Sequence, residues 1–140
     1  MTDSVWDYRN PYEWMKRVQT STLPPLMICV AVSGGVQGKE ANPNLPETPE
    51  ELAESTQGAY KAGASLVHVH ARDPEKLYES AGSAEVYRQV NGAIRERCPD
   101  MVINNTTGGS WGMSVEERLS CLDARPEMAT LNLGPDMYKM

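Results

Sequence analysis

The residues best placed to do chemistry lie in one short stretch, Ser65-Leu66-Val67-His68-Val69-His70-Ala71-Arg72-Asp73-Pro74, which carries both histidines of the chain. In a strand, residues i and i+2 point to the same face. His68 and His70 then project together, with Cβ atoms roughly 6–7 Å apart. Imidazoles leaning inward from that spacing reach a metal at about 2.0–2.1 Å from each nitrogen. The pair reads as half of a divalent-metal site, most simply zinc, at the C-terminal end of a buried strand. The competing reading is two ordinary strand-end histidines bonded to neighbours or water.

Other polar residues follow other apolar runs. Thr106, Gly108 and Gly109 offer a hydroxyl and backbone N–H groups that suit a carboxylate, and glycine lets the backbone come close. The alternative is a plain flexible strand-to-helix turn. Thr130 and Asn132 share a face; Asn is poor in strand interiors, which favours a polar rim site over a buried structural amide. Arg72 reads first as a loop salt bridge and second as an anion-binding side chain. Asp73 reads first as a turn residue before Pro74 and second as a group that fixes a histidine tautomer. The tyrosines and tryptophans are assigned to packing, although Trp111, beside the glycines, is placed to shield a pocket. Cys29, Cys98 and Cys121 are odd in number and far apart, which fits a reducing compartment better than a disulfide framework. Cys29, within an apolar run, is expected in the core.

The elements that must position these residues alternate regularly. Leu26 to Ser33 predicts a buried strand. Thr48, Pro49 and Glu51 supply a capping box and a proline at the first helical position, opening a helix whose apolar face is Leu52, Thr56, Ala59 and Tyr60 and which Gly63 ends. Leu66 to His70 is the second strand, and 71–82 a polar loop. Ser83 caps a helix carrying Val86, Val90, Ala93 and Ile94, which Pro99 bars from continuing. Met101 to Asn105 is the third strand. Ser114 and Glu117 form another capping box, before a helix lined by Val115, Leu119 and Leu122, and Met128 to Leu131 is the fourth strand. Residues 1–24 form an N-terminal extension in which Asn10-Pro11 begins a short docking helix with Trp14, Val18 and Met15 along one stripe. Residues 25–140 form the remaining unit.

Strand–helix alternation requires a parallel sheet with crossover helices. The polar residues sit at strand C-termini, which is the distribution of a (β/α)8 barrel; a doubly wound sheet is the alternative. The glycines Gly34, Gly35 and Gly38 match neither dinucleotide nor P-loop phosphate spacing. A barrel takes roughly 200–250 residues, so the 140 residues here supply about half. The expectation is a fragment whose inner face lacks opposing layers and whose last strand has an open edge, with a shorter complete fold as the alternative. A net charge of −6 and pI of about 4.9 argue against a nucleic-acid binder held by phosphate contacts and offer no polybasic membrane patch. With no basic start before an apolar stretch and no run of membrane-spanning length, a soluble cytoplasmic protein is expected.

Four stretches, PNLPETPEE (Pro43–Glu51), AGASLVHVHARDP (Ala62–Pro74), NNTTGG (Asn104–Gly109) and PEMATLNLG (Pro126–Gly134), together resemble the N-terminal half of the β-keto acid cleavage enzymes, a family typified by the 3-keto-5-aminohexanoate cleavage enzyme. The resemblance implies a zinc-dependent (β/α)8 enzyme that converts a β-keto acid and acetyl-CoA into acetoacetate and a new CoA thioester, and that associates as a homo-oligomer. It assigns zinc ligation to His68 and His70. It assigns substrate binding to Thr106, Gly108, Gly109, Thr130 and Asn132. The third zinc ligand, a glutamate, and the acid–base aspartate are expected beyond Met140, so no catalytic residue falls within the chain. Where the prototype places a loop glutamate that holds an amino group, this sequence has Val36 with Gln37 beside it, which implies a different β-keto acid. The chemistry is coherent: a bond between a carboxylated α-carbon and a ketone breaks after a nucleophile adds to the ketone, and the oxyanion then needs a Lewis acid. A metal-dependent hydrolase on a similar barrel and a non-catalytic half-barrel are the alternatives.

Overall fold

The computed structural model describes residues 10–20 and 25–131. Within them run helix α1 (Pro11–Gln19), strand β1 (Cys29–Ala31), helix α2 (Pro49–Lys61), strand β2 (Leu66–Val69), helix α3 (Ala84–Arg97), strand β3 (Val102–Asn105), helix α4 (Val115–Leu119), a 3-10 helix at Ser120–Ala124, and strand β4 (Met128–Ala129). Asn132 and the side chains of Trp14 and Val18 lie outside the described residues.

Local sequence sets these boundaries. At Thr48 the side chain accepts the Glu51 N–H while the Glu51 carboxylate takes the Thr48 N–H, closing the capping box. Ser114 and Glu117 do the same for α4, and Ser83 caps α3. Gly63, at φ +104°, turns the chain from α2 into β2.

The strands are all parallel, in sheet order β1-β2-β3-β4. A doubly wound sheet reverses strand order at a switch point; this one advances without reversal. Its helices α2 and α3 pack on each other and on the sheet face that presents Val67, Val69 and Ile103. Leu52, Val90 and Ile94 complete that layer, fully buried, each such side chain worth about 1.5–3 kcal/mol relative to exposure. This is the winding of a (β/α)8 barrel, of which the chain supplies about half.

Register then fixes the opposite, inner face. Ala31 pairs with His68, His68 with Asn104, and Asn104 with Met128, so these residues form one row across the sheet. Three expectations fail around β1. Leu26, Met27 and Ile28 are exposed rather than buried, Cys29 is exposed rather than in the core, and β1 is confined to Cys29–Ala31. Cys29 and Ala31 lie on the inner side of β1, which no layer covers among the described residues; Leu26, Met27 and Ile28 precede the strand and are exposed on both sides. Similarly β4 spans only Met128–Ala129, short of Leu131. The apolar line Val115, Leu119 and Leu122 is exposed, because α4 tightens into the 3-10 helix after five residues and buries Cys121 and Ala124 instead.

Candidate active site

His68 ends the inner row of β2, and His70 follows on the same face. Their Nε2 atoms stand 3.1 Å apart, with ring centroids 4.9 Å apart and planes at 83°. Burial pushes the His68 imidazole below its ordinary pKa, against the opposing pull of the Asn104 backbone. Burial, with the positive charges of His68 and Arg72 adding to it, pushes His70 down to about 4. Both rings are therefore neutral near pH 7, the state in which imidazole ligates a metal. Two ligand nitrogens in a tetrahedral zinc shell lie about 3.4 Å apart; the observed pair needs to part by only a few tenths of an ångström. The residues thus fit a metal on two sides. Among the described residues no cluster of three His, Cys, Asp or Glu forms around one point, so a metal held by this pair would need further ligands from elsewhere.

His70 opens into a cavity of about 410 Å³. Thr106, Gly108 and Gly109 line it together with Ser110 and Trp111, so the turn after β3 and the histidine after β2 share one space. Thr106 is buried and tightly held: its N–H donates to the Val69 carbonyl at 3.0 Å, its hydroxyl accepts the Gly108 N–H at 3.1 Å, and its carbonyl accepts from Tyr87 Oη at 3.5 Å. Gly109 adopts φ +65°, and a Cβ there would stand 2.7 Å from Arg118 Cγ and 2.9 Å from Met113 Sδ, so both conformation and space require glycine.

The remaining sequence candidates divide. Thr130 sits beside this turn rather than in the cavity wall, bonded to Thr107. Arg72 is buried and donates to the Gln37 carbonyl at 2.6 Å, with Glu47 and Glu40 supplying charge nearby; it straps the loop after β1 to the end of β2 and does not open onto the cavity. Asp73 accepts the N–H groups of Glu75 and Lys76, the turn role. Trp111 does not pack: it is 76% exposed at the cavity wall. Val36 also lines the cavity and is 70% exposed. Residues the sequence did not single out complete the site: Tyr78, Glu79, Ser110 and Arg118 in the wall, and Asn104 beside His68 in the inner row. The signal for Tyr78 and Glu79 is long-range, an antiparallel bridge between Arg72 and Ser80 that no local pattern announces.

The profile of the beta-keto acid cleavage enzyme family matches residues 25–139. A 3-keto-5-aminohexanoate cleavage enzyme of Fusobacterium nucleatum is 44% identical over 109 residues, which cover 78% of this chain and 39% of that protein. A 3,5-dioxohexanoate:acetyl-CoA acetone transferase of Paraburkholderia graminis is 37% identical over 81% of this chain and 36% of its own length. The chain thus spans well under half the length of the curated relatives it matches. Among solved structures, the ternary complex of ObcA with a C4-CoA adduct and oxalate superposes with a TM-score of 0.54 at 26% identity, covering 64% of this chain and 23% of that one.

Proposed function

The chain belongs to the beta-keto acid cleavage enzyme family, and from that premise we propose that it carries the first four strands of a zinc-dependent enzyme condensing a β-keto acid with acetyl-CoA to give acetoacetate and a new acyl-CoA. The observation that supports this reading most directly is the convergence of the two Nε2 atoms, 3.1 Å apart, beside a cavity that also takes in Thr106, Gly108 and Gly109. The names of relatives such as the acetone transferase and a 3-oxoadipate:acetyl-CoA acetyltransferase supply the acetyl-CoA.

His68 and His70 would hold the metal, which when bound supplies a Lewis acid for a developing oxyanion. Gly109 lines the cavity, and its N–H would serve as a donor for the substrate carboxylate. Thr106, through its bond to Gly108, fixes the shape of that turn. Trp111 and Val36 give the cavity an apolar margin, suited to the apolar part of an acyl chain. The third ligand and the acid–base carboxylate would come from residues outside 1–140.

The test is an assay of the full-length protein with acetyl-CoA and a panel of β-keto acids, following acetoacetate, alongside its zinc content. Turnover is expected, lost in His68→Ala and His70→Ala. A protein that holds no zinc, or whose rate survives His68→Ala, overturns the reading.

A further inference from the structure

Behind the cavity wall, residues 71–81 fold back on themselves. Ala81 N–H donates to the Ala71 carbonyl at 2.8 Å and Asp73 N–H to the Glu79 carbonyl at 3.0 Å, with Arg72 and Ser80 bridged between them. Ser80 N–H also donates to Ser110 Oγ at 2.7 Å. These backbone bonds hold Ser80, 1% exposed, next to the His70 ring. A Cβ built on Gly35 would lie 2.9 Å from Ser80 Oγ and 3.2 Å from His70 Nδ1, so both atoms flank the same notch. Both are buried, and neither has a hydrogen-bond partner among the described residues.

Buried polar atoms are rarely left in that state, and donor chemistry limits how these pair. Arg72 Nε and Nη1 are likewise buried and unpartnered, but a guanidinium only donates. A serine hydroxyl can accept. If His70 Nε2, which faces His68, keeps its lone pair for a metal, then Nδ1 carries the proton and needs an acceptor. We propose that Ser80 is the positioning residue of His70: its hydroxyl accepts the Nδ1 proton across one water, in the notch that Gly35 keeps open by lacking a side chain. This fixes the tautomer and ring orientation that aim Nε2 at the point shared with His68. The inference rests on the metal reading of the pair, but its first readout does not require metal.

The experiment uses the full chain labelled with ¹⁵N, in which only two histidines give imidazole signals. In the metal-free chain one of the two Nε2 atoms must donate to the other across 3.1 Å, so long-range ¹H–¹⁵N spectra at neutral pH should show His70 protonated on Nδ1 and His68 on Nε2. In Ser80→Ala at least half the population should move to the Nε2–H form, in which His70 donates to His68 Nε2; Ser80→Thr should restore the wild-type form. Gly35→Ala, which places a methyl group between Ser80 Oγ and His70 Nδ1 while leaving residue 80 a serine, should repeat the Ser80→Ala shift and serves if that variant does not fold. With zinc chloride as the probe, the dissociation constant should rise about 10- to 100-fold in Ser80→Ala and return in Ser80→Thr. An unchanged tautomer in both Ser80→Ala and Gly35→Ala, or a wild-type His70 already protonated on Nε2, overturns the proposal. A tautomer that responds to Ser80 supports the proposal even where these 140 residues take up no zinc; the metal reading is overturned only if the full-length protein, with its further ligands, holds none.

Discussion

Thr107 and Thr130 tie the turns that follow β3 and β4 to each other: the Thr107 N–H donates to Thr130 Oγ1 at 3.0 Å, and Thr107 Oγ1 donates to the Thr130 carbonyl at 2.8 Å. The Thr130 side chain therefore acts on the site through its neighbour. Thr130→Val keeps the shape and removes the acceptor, leaving a part-buried N–H unpaired at a cost of about 1–3 kcal/mol. Urea unfolding should show that loss. In the full-length enzyme, KM for the β-keto acid should rise more than kcat falls, because the Thr106–Gly109 turn loosens.

Gly109→Ala combines a left-handed backbone with a Cβ that would strike Arg118 and Met113. The strain alone is worth about 1–3 kcal/mol. A lower midpoint in chemical denaturation, with weaker substrate binding in the full-length enzyme, is the expected pair of outcomes. Gly58, where a Cβ meets nothing within 4 Å, is the control: Gly58→Ala within α2 should be neutral or stabilising.

The Glu51 carboxylate is pulled down to about 2, first by Lys39 and then by the N–H groups of Glu47 and Thr48. Its folded pKa lies below its unfolded value, so its contribution is present above about pH 4.5 and is lost as pH falls toward 2. The group is partly exposed, so solvent screens the ion pair. Glu51→Gln keeps an acceptor for the capping box and removes only the charge, so it should cost about 0.3–1 kcal/mol at pH 7, and the difference from wild type should shrink below pH 4 in acid titrations followed by circular dichroism.

The His70 imidazole, held down to about 4 mainly by burial, should remain neutral in the metal-free chain at pH values where a free histidine is half charged, as histidine NMR will show. The unfolded chain binds this proton first, so stability should fall as pH drops from about 6.5 toward 4. His70→Gln should flatten that part of the pH–stability curve.

Among its described residues the chain brings two histidines and no third ligand to the paired nitrogens. The 140 residues by themselves are expected to produce no acetoacetate from acetyl-CoA and any β-keto acid, in an assay in which the full-length protein serves as the positive control.

The legible parts of the fold were those with a local cause. Thr48, Ser83 and Ser114 announced their helices because caps act within three residues, and the two-residue spacing of His68 and His70 announced a shared face because strand pleating does not depend on context. The misread parts depended on distant partners. Cys29 and the run before it are as apolar as a core strand, yet the burial of Cys29 is decided by what lies across the inner face, and the run before it lies outside the paired strand. Leu119 and Leu122 kept helical spacing, but the chain tightened to 3-10 geometry before that spacing could matter. Ser80 stayed hidden in a polar loop because only its pairing with Arg72, eight positions earlier, brings it back beside His70.

The strand pairing has a kinetic corollary. Cys29 meets Leu66, and Leu66 meets Val102, so no two neighbouring strands are joined by a hairpin and none can zip up from a tight turn. At a synthesis rate of about 5–20 residues per second, β1 waits on the ribosome for seconds before its first partner emerges. During that wait the local, well-capped α2 is the element able to form alone, and nascent-chain protease protection should therefore begin with the helices and reach β1 only after β2 has cleared the exit tunnel.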